Sequence, residues 1–263
     1  MQDSILILAF TKTRKDYELF LKHLEKCKTH KTLLVVHFRG TRAYINDKAD
    51  LPTIIHRDDQ LMSDWLRRVM SKVLEARPSY RGLLYYGHML GLRTQKKLSL
   101  DVFVAEVISK VRPTITYFDS CYMADIRVMQ KISSFTRYLM ASPSFHPYTS
   151  ILDTKSFYSF PKRSDPTKKW YQYVKEVVSE YNKLQRSRVE PKYTCLFGFD
   201  LKHMSYFDAE LNCRQNEHMP HNKRRFDFVD CVTNDRVKND LLKSIITQHE
   251  QCEFNTHGIG ISK

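Results

Sequence analysis

Short apolar runs alternate, through the first 142 residues, with longer stretches whose apolar positions recur every three or four residues. The runs SILILAF (4–10), TLLVVHF (32–38), RGLLYYGH (81–88), TITYFD (114–119) and TRYLMAS (136–142) have the length and the β-branched and aromatic content of strands. They are nearly continuous in hydrophobicity, as strands covered on both faces are. Between them, DYELFLKHLEKC (16–27), DDQLMSDWLRRVMSKVLEA (58–76), LDVFVAEVISKV (100–111) and MADIRVMQKIS (123–133) carry helical spacing. The second of these opens on acids that suit the positive end of a helix. The third is stopped at Arg112-Pro113. This alternation predicts an α/β fold with a mostly parallel central sheet and helices on both faces.

Beyond residue 142 the pattern loosens. DPTKKWYQYVKEVVSEYNKL (165–184) and NDRVKNDLLKSIITQHE (234–250) read as helices, YTCLFGFDL (193–201) as strand-like, and GIGIS (258–262) as a last strand. No internal repeat, low-complexity linker or composition break divides the chain. The expectation is a single domain over 1–263, with the core sheet in 1–160 and a less regular half in 161–263.

In an open α/β sheet, ligands bind outside the carboxyl ends of the strands. His88 closes the strand 81–87, and Cys121 follows the strand 114–119 and is expected to begin the next helix. Neighbouring strands lie about 4.8 Å apart, so an imidazole and a thiol at two such ends would share one gap. The thiolate is the nucleophile. A helix N-terminus would stabilise it, and a histidine would accept its proton or protonate a leaving amine. Asp119 is in phase with Cys121 along the strand, so a carboxylate would border the same gap. It is a poor activator of a thiol and a good partner for a cationic side chain. Against this stands the plain alternative that Cys121 is a small core residue and His88 a surface one.

The 263 residues carry 42% hydrophobic and 27% charged side chains, enough for a core of ordinary size, with a net charge of +14. Basic runs at 94–97, 161–163 and 222–225 are scattered and match no nucleic-acid motif. A solvated lysine-rich surface is therefore favoured over attraction to nucleic acid or another polyanion. Six scattered cysteines without a CxxC pair argue against a disulfide framework and for a reducing compartment. The N-terminal apolar run is short and follows an acid, and no segment has the apolar length of a membrane span. The expected protein is soluble and intracellular, with no membrane partner. Seven glycines and no GxGxxG or GxxxxGK[ST] speak against a nucleotide site. His203, Cys213, His218 and His221 fit no structural zinc spacing and read as polar loop residues.

The segments YRGLLYYGHMLG (80–91), FDSCYMA (118–124) and RYLMAS (137–142), with the helix ending in Pro at 64–78, resemble the clostripain-like cysteine peptidases of caspase-like fold. Fainter echoes follow at 194–212, 224–232 and 257–262, so the resemblance runs along most of the chain. It implies a peptidase that hydrolyses bonds after Arg or Lys in proteins or peptides. Cys121 would be the nucleophile and His88 its partner. Asp119 would be the acid that selects the basic side chain, and the N–H groups of Cys121 and Met89 would hold the oxyanion. Relatives are often matured by cleavage after a basic residue, for which Arg93, Lys96 and Lys97 are the candidates here. Some relatives need calcium; no DxDxDG loop is present, so no cofactor or metal site is assigned. The chain departs from the family at Met89, where a Gly is usual: the N–H is kept and glycine's torsional freedom is lost. PSFHPY (143–148) lacks the acids and Gly usual there, and TKTRK (11–15) lacks the usual acidic turn. A catalytically inactive interaction protein on the same fold is the alternative reading, and a polyanion binder a further one.

Overall fold

Among the described residues, eight strands form one sheet, whose order from edge to edge is Thr53–His56, Arg42–Asn46, Leu33–Arg39, Ile5–Thr11, Gly82–Gly87, Ile115–Asp119, Tyr138–Ala141 and Phe197–Asp200. A computed structural model describes residues 4–25, 33–46, 53–57, 61–76, 79–88, 98–143, 149–162, 165–186, 195–206, 225–227, 235–247 and 260–262. The strands are β1 (Ile5–Thr11), β2 (Leu33–Arg39), β3 (Arg42–Asn46), β4 (Thr53–His56), β5 (Gly82–Gly87), β6 (Ile115–Asp119), β7 (Tyr138–Ala141) and β8 (Phe197–Asp200). Strands β2, β1, β5, β6 and β7 run parallel; β3, β4 and β8 are attached by antiparallel pairing. The expected mostly parallel α/β sheet is therefore present.

The helices are α1 (Arg14–Glu25), α2 (Met62–Ala76), α3 (Leu100–Phe103, continuing through the π-helical turn Val104–Ile108 into Ser109–Val111), α4 (Ile126–Ile132), α5 (Thr167–Arg186) and α6 (Asp235–Ser244). They cover both faces, and the strands alternate between two cores accordingly. Leu6, Leu8, Leu83, Tyr85 and Phe118 pack with Trp65 and Val69 of α2 and Phe103 of α3. Ile5, Ile7, Ala9, Leu84 and Tyr117 pack with Phe20 of α1 and Trp170, Val174 and Val177 of α5. Burying both faces is what the unbroken apolar strand sequences required.

Five elements depart from or refine the expected pattern. Residues 42–56 add an antiparallel hairpin, β3 and β4, that the pattern of apolar runs does not predict; Gly40, with φ of 57°, makes the tight turn into it. Strand β8 enters antiparallel beside β7. The last strand, β10 (Gly260–Ser262), pairs with β9 (Arg225–Asp227) in a separate two-stranded ribbon. Helix α4 begins at Ile126, because the Asp125 side chain accepts the Arg127 N–H at 2.9 Å and caps it there. Cys121 consequently lies in a turn ahead of the helix. It does not begin the helix, and the expected help from the helix dipole is absent.

The order of the sheet creates a switch point. From β1 the chain moves to β2 on one side, then crosses to β5 on the other side of β1. The connections leaving β1 and β5 diverge and open a crevice above their carboxyl ends. One buried side chain braces that end. His37 of β2 is 6% exposed, lies 2.8 Å (Nε2) from the Thr11 hydroxyl, and stacks on the Tyr17 ring of α1 with centroids 4.6 Å apart. Burial, with help from the Arg39 charge, pulls its pKa down to about 4. The folded value lies below the ordinary one near 6.5, so this group's stabilisation is complete above pH ~6.5 and is lost as pH falls toward 4. At pH 5 the loss from His37 amounts to about 1–2 kcal/mol. Urea unfolding at pH 7 and pH 5 checks it. The wild-type midpoint drops further than that of His37→Gln, and an equal drop in both contradicts the assignment.

Candidate active site

The exit of β5 is tightly built. Gly87 pairs in register with Phe10 of β1, and a Cβ on Gly87 would sit 2.9 Å from the Phe10 carbonyl oxygen. With φ at 156°, this position accommodates glycine and little else. The Tyr85 hydroxyl donates to the His88 carbonyl at 2.7 Å and fixes the backbone just beyond the strand. The His88 side chain is 56% exposed.

The exit of β6 supplies the other two expected groups. Asp119 pairs in register with Tyr86, so its side chain stands beside the end of β5. It is 4% exposed. One carboxylate oxygen accepts the Ser150 hydroxyl in a short hydrogen bond and the Ile151 N–H at 3.2 Å. Ser150 also caps the 3-10 turn Ile151–Asp153, accepting the Leu152 N–H at 3.2 Å. Cys121 follows in a turn, half-buried and not disulfide-bonded. The next residue, Tyr122, has a left-handed φ of 60°, an uncommon conformation for a bulky residue and one that occurs at functional turns.

Helix α1 closes the third side. Thr13 and Asp16 form a capping box: the Thr13 N–H donates to Asp16 Oδ2 at 3.0 Å and the Asp16 N–H to the Thr13 hydroxyl at 3.1 Å. The same Oδ2 lies 3.5 Å from His88 Nε2. Partial burial works against the Asp16 charge. The Thr13 hydrogen bonds and the His88 ring outweigh it and hold the carboxyl below its ordinary pKa. Two turns on, His23 Nδ1 is 3.0 Å from Asp153 Oδ1, a pair almost wholly buried.

These groups line one cavity of about 260 Å³, whose walls are Phe10, Asp16, Leu19, His23, Tyr86, Gly87, His88, Asp119, Cys121 and Thr149. The structure thus brings together three residues read from sequence, His88, Asp119 and Cys121. Met89, Arg93, Lys96 and Lys97 lie outside the described residues, as do Cys213, His218 and His221. Asp16, His23 and Thr149 went unnoticed. The Thr13-x-x-Asp16 spacing could have flagged Asp16, whereas no local signal links His23 to an acid 130 residues away. The lining contains two carboxylates and neither Lys nor Arg. Burial, and then the nearby Asp119, Asp16 and Asp153, raise the pKa of the Tyr86 hydroxyl. Among the described residues no group of three or more His, Cys, Asp or Glu is placed to hold a metal ion, and no described helix is long and apolar enough to cross a membrane. Cys195 is disulfide-bonded, with its partner outside the described residues.

No protein-family model matches the chain, and no curated protein matches it in sequence. Solved structures match it in fold. The secreted C11 cysteine protease "iotapain" from Bacteroides thetaiotaomicron superposes with a TM-score of 0.69, covering 100% of this chain and 94% of its own at 12% identity. The fold is that of the C11 cysteine proteases. A secreted C11 cysteine protease from the same organism, in complex with an irreversible peptide inhibitor, gives 0.66 over 94% of this chain and 85% of its own at 11% identity. An inactive zymogen C11 protease from Parabacteroides distasonis gives 0.64, with 95% and 84% covered at 15% identity.

On this C11 fold the Asp119 wall is held by Ser150, whereas the neighbouring Thr149 hydroxyl is buried without a hydrogen-bond partner. Ser150→Ala removes a cap and a donor to a buried carboxylate, and costs about 1–3 kcal/mol. Thr149→Val removes an unsatisfied group and leaves stability unchanged or raises it by about 1 kcal/mol. Urea unfolding compares them; equal effects, or a larger loss in Thr149→Val, would contradict this wall.

Proposed function

We propose that the chain is a thiol endopeptidase that cleaves peptide bonds after Arg or Lys. The observation that carries this reading is the shared cavity: a thiol, two imidazoles and two carboxylates line one space, with neither Lys nor Arg among its walls, in a protein of net charge +14. An acidic crevice in a basic protein suits a cationic side chain. Neighbours of the same fold are named as cysteine proteases, one of them bound to a peptide inhibitor.

In this reading His88 takes the proton of Cys121, and the sulfur attacks the carbonyl carbon of the scissile bond. The backbone N–H groups of Cys121 and Met89 receive the oxyanion. The carbon–nitrogen bond breaks as His88 gives the proton to the leaving amine, and water, with His88 as base, releases the acyl group from sulfur. Asp119, aimed by Ser150 and Ile151, accepts the guanidinium or ammonium of the residue before the cut. Arg93, Lys96 and Lys97 lie between His88 and Cys121 in sequence and offer bonds of the same kind for self-cleavage.

Short fluorogenic peptides ending in Arg, Lys, Asp or Leu test the reading. Arg and Lys peptides are hydrolysed, and Cys121→Ala loses at least about a thousandfold in kcat/KM. Asp119→Ala loses a buried charge pairing of about 2–5 kcal/mol, and so at least about thirtyfold toward Arg and Lys peptides. No hydrolysis of any peptide, or equal hydrolysis of all four, contradicts it.

A further inference from the structure

Asp16 stands where a helix cap and the His88 ring meet. Resting on the peptidase reading above, we infer that Asp16 is a positioning residue for His88. Its Oδ2 receives the Nε2–H, selects the tautomer whose Nδ1 carries no hydrogen, and steadies the imidazolium formed when Nδ1 takes the Cys121 proton. The two ring nitrogens then have separate duties. Nε2–H remains with the carboxylate throughout, while Nδ1 accepts the thiol proton and later gives it to the leaving amine.

Three observations support this. The His88 side chain is more than half exposed, so packing alone does little to fix its ring. The carboxylate, by contrast, is fixed: Oδ2 takes the Thr13 N–H at 3.0 Å and the Lys12 N–H at 3.3 Å, and the Thr13 hydroxyl in turn accepts the Asp16 N–H. The turn that carries it is braced from behind, where His37 meets Thr11 and stacks on Tyr17. At 3.5 Å the Oδ2–Nε2 contact is longer than a closed hydrogen bond, and catalytic contacts of this kind tighten when substrate fills the site.

Capping asks for an acceptor at Asp16 and has no need of a charge. Asp16→Asn therefore keeps the cap and removes the anion. The other titratable groups lining the cavity are His23 on α1, Tyr86 on β5, Asp119 at the end of β6 and Cys121 beyond it, with Asp153 behind His23. None of them is altered by the substitution. An anion beside an imidazole raises its pKa, so removing the anion lowers it.

Two measurements on the full chain decide the matter. The first follows the His88 ring by NMR titration in Cys121→Ala, with and without Asp16→Asn, and needs no peptide to be hydrolysed. The His88 midpoint moves to lower pH when Asp16 becomes Asn. It stays near its original value in Asp16→Glu, which keeps both charge and capping box. The second uses an Arg-ending fluorogenic peptide. In Asp16→Asn, kcat falls about tenfold with KM unchanged, and the limb of the pH profile that belongs to His88 moves to lower pH. An unmoved His88 midpoint overturns the inference, as does a raised KM with unchanged kcat, which would make Asp16 a substrate ligand. A shifted midpoint in a chain that hydrolyses nothing would leave the Asp16–His88 pairing standing and count against the peptidase reading instead.

Discussion

The level at which β1, β5 and β6 end governs everything else in this molecule. Parallel pairing in fixed register places Phe10 beside Gly87 and Tyr86 beside Asp119. A shift of one residue would send Asp119 to the opposite face of the sheet and point Tyr86 away from the crevice. The register is enforced by two buried cores, since each strand alternates between them with no polar face to absorb a slip. The cavity therefore inherits its geometry from apolar packing far below it. The close approach of Gly87 to the Phe10 carbonyl is the most exacting point of that arrangement.

Charge is organised against the average. The chain as a whole is strongly basic, yet the crevice collects Asp16 and Asp119, with Asp153 behind it. Each acid is held by donors of the protein itself: backbone N–H groups at the head of α1 for Asp16, Ser150 and Ile151 for Asp119, His23 for Asp153. Buried or half-buried carboxylates persist when hydrogen bonds replace the water they lose. A basic exterior with a focused acidic interior draws cationic groups to the crevice and not to the surface around it.

The sequence showed the parallel core plainly, because strands buried on both faces are unbroken in hydrophobicity and Tyr86-Gly87-His88 and Asp119-Ser120-Cys121 fall at their ends. The direction of β8 was illegible, since an apolar run of four residues reads the same both ways. The β3–β4 hairpin was passed over although Gly40 and the buried Ala43 and Ile45 marked it. The helical spacing of MADIRVMQKIS extends to residue 123, whereas the Asp125 cap starts α4 at Ile126. Of the candidate site, the triplet His88, Asp119 and Cys121 was readable from local position. Asp16 and the His23–Asp153 pair were not, for they depend on α1 folding back over the ends of β5 and β6. That long-range fact has no local trace beyond a capping box.

The central claim is that the Cys121 sulfur and a cation-accepting wall serve one space. It is tested most directly by exposing the intact protein to acyloxymethyl ketone probes bearing Arg, Leu or Asp, and mapping the adduct by mass spectrometry. The account predicts rapid, single-site alkylation of Cys121 by the Arg probe, and slow reaction with the other two. Equal labelling by all three probes, or an unmodified Cys121 after prolonged exposure to the Arg probe, would contradict it.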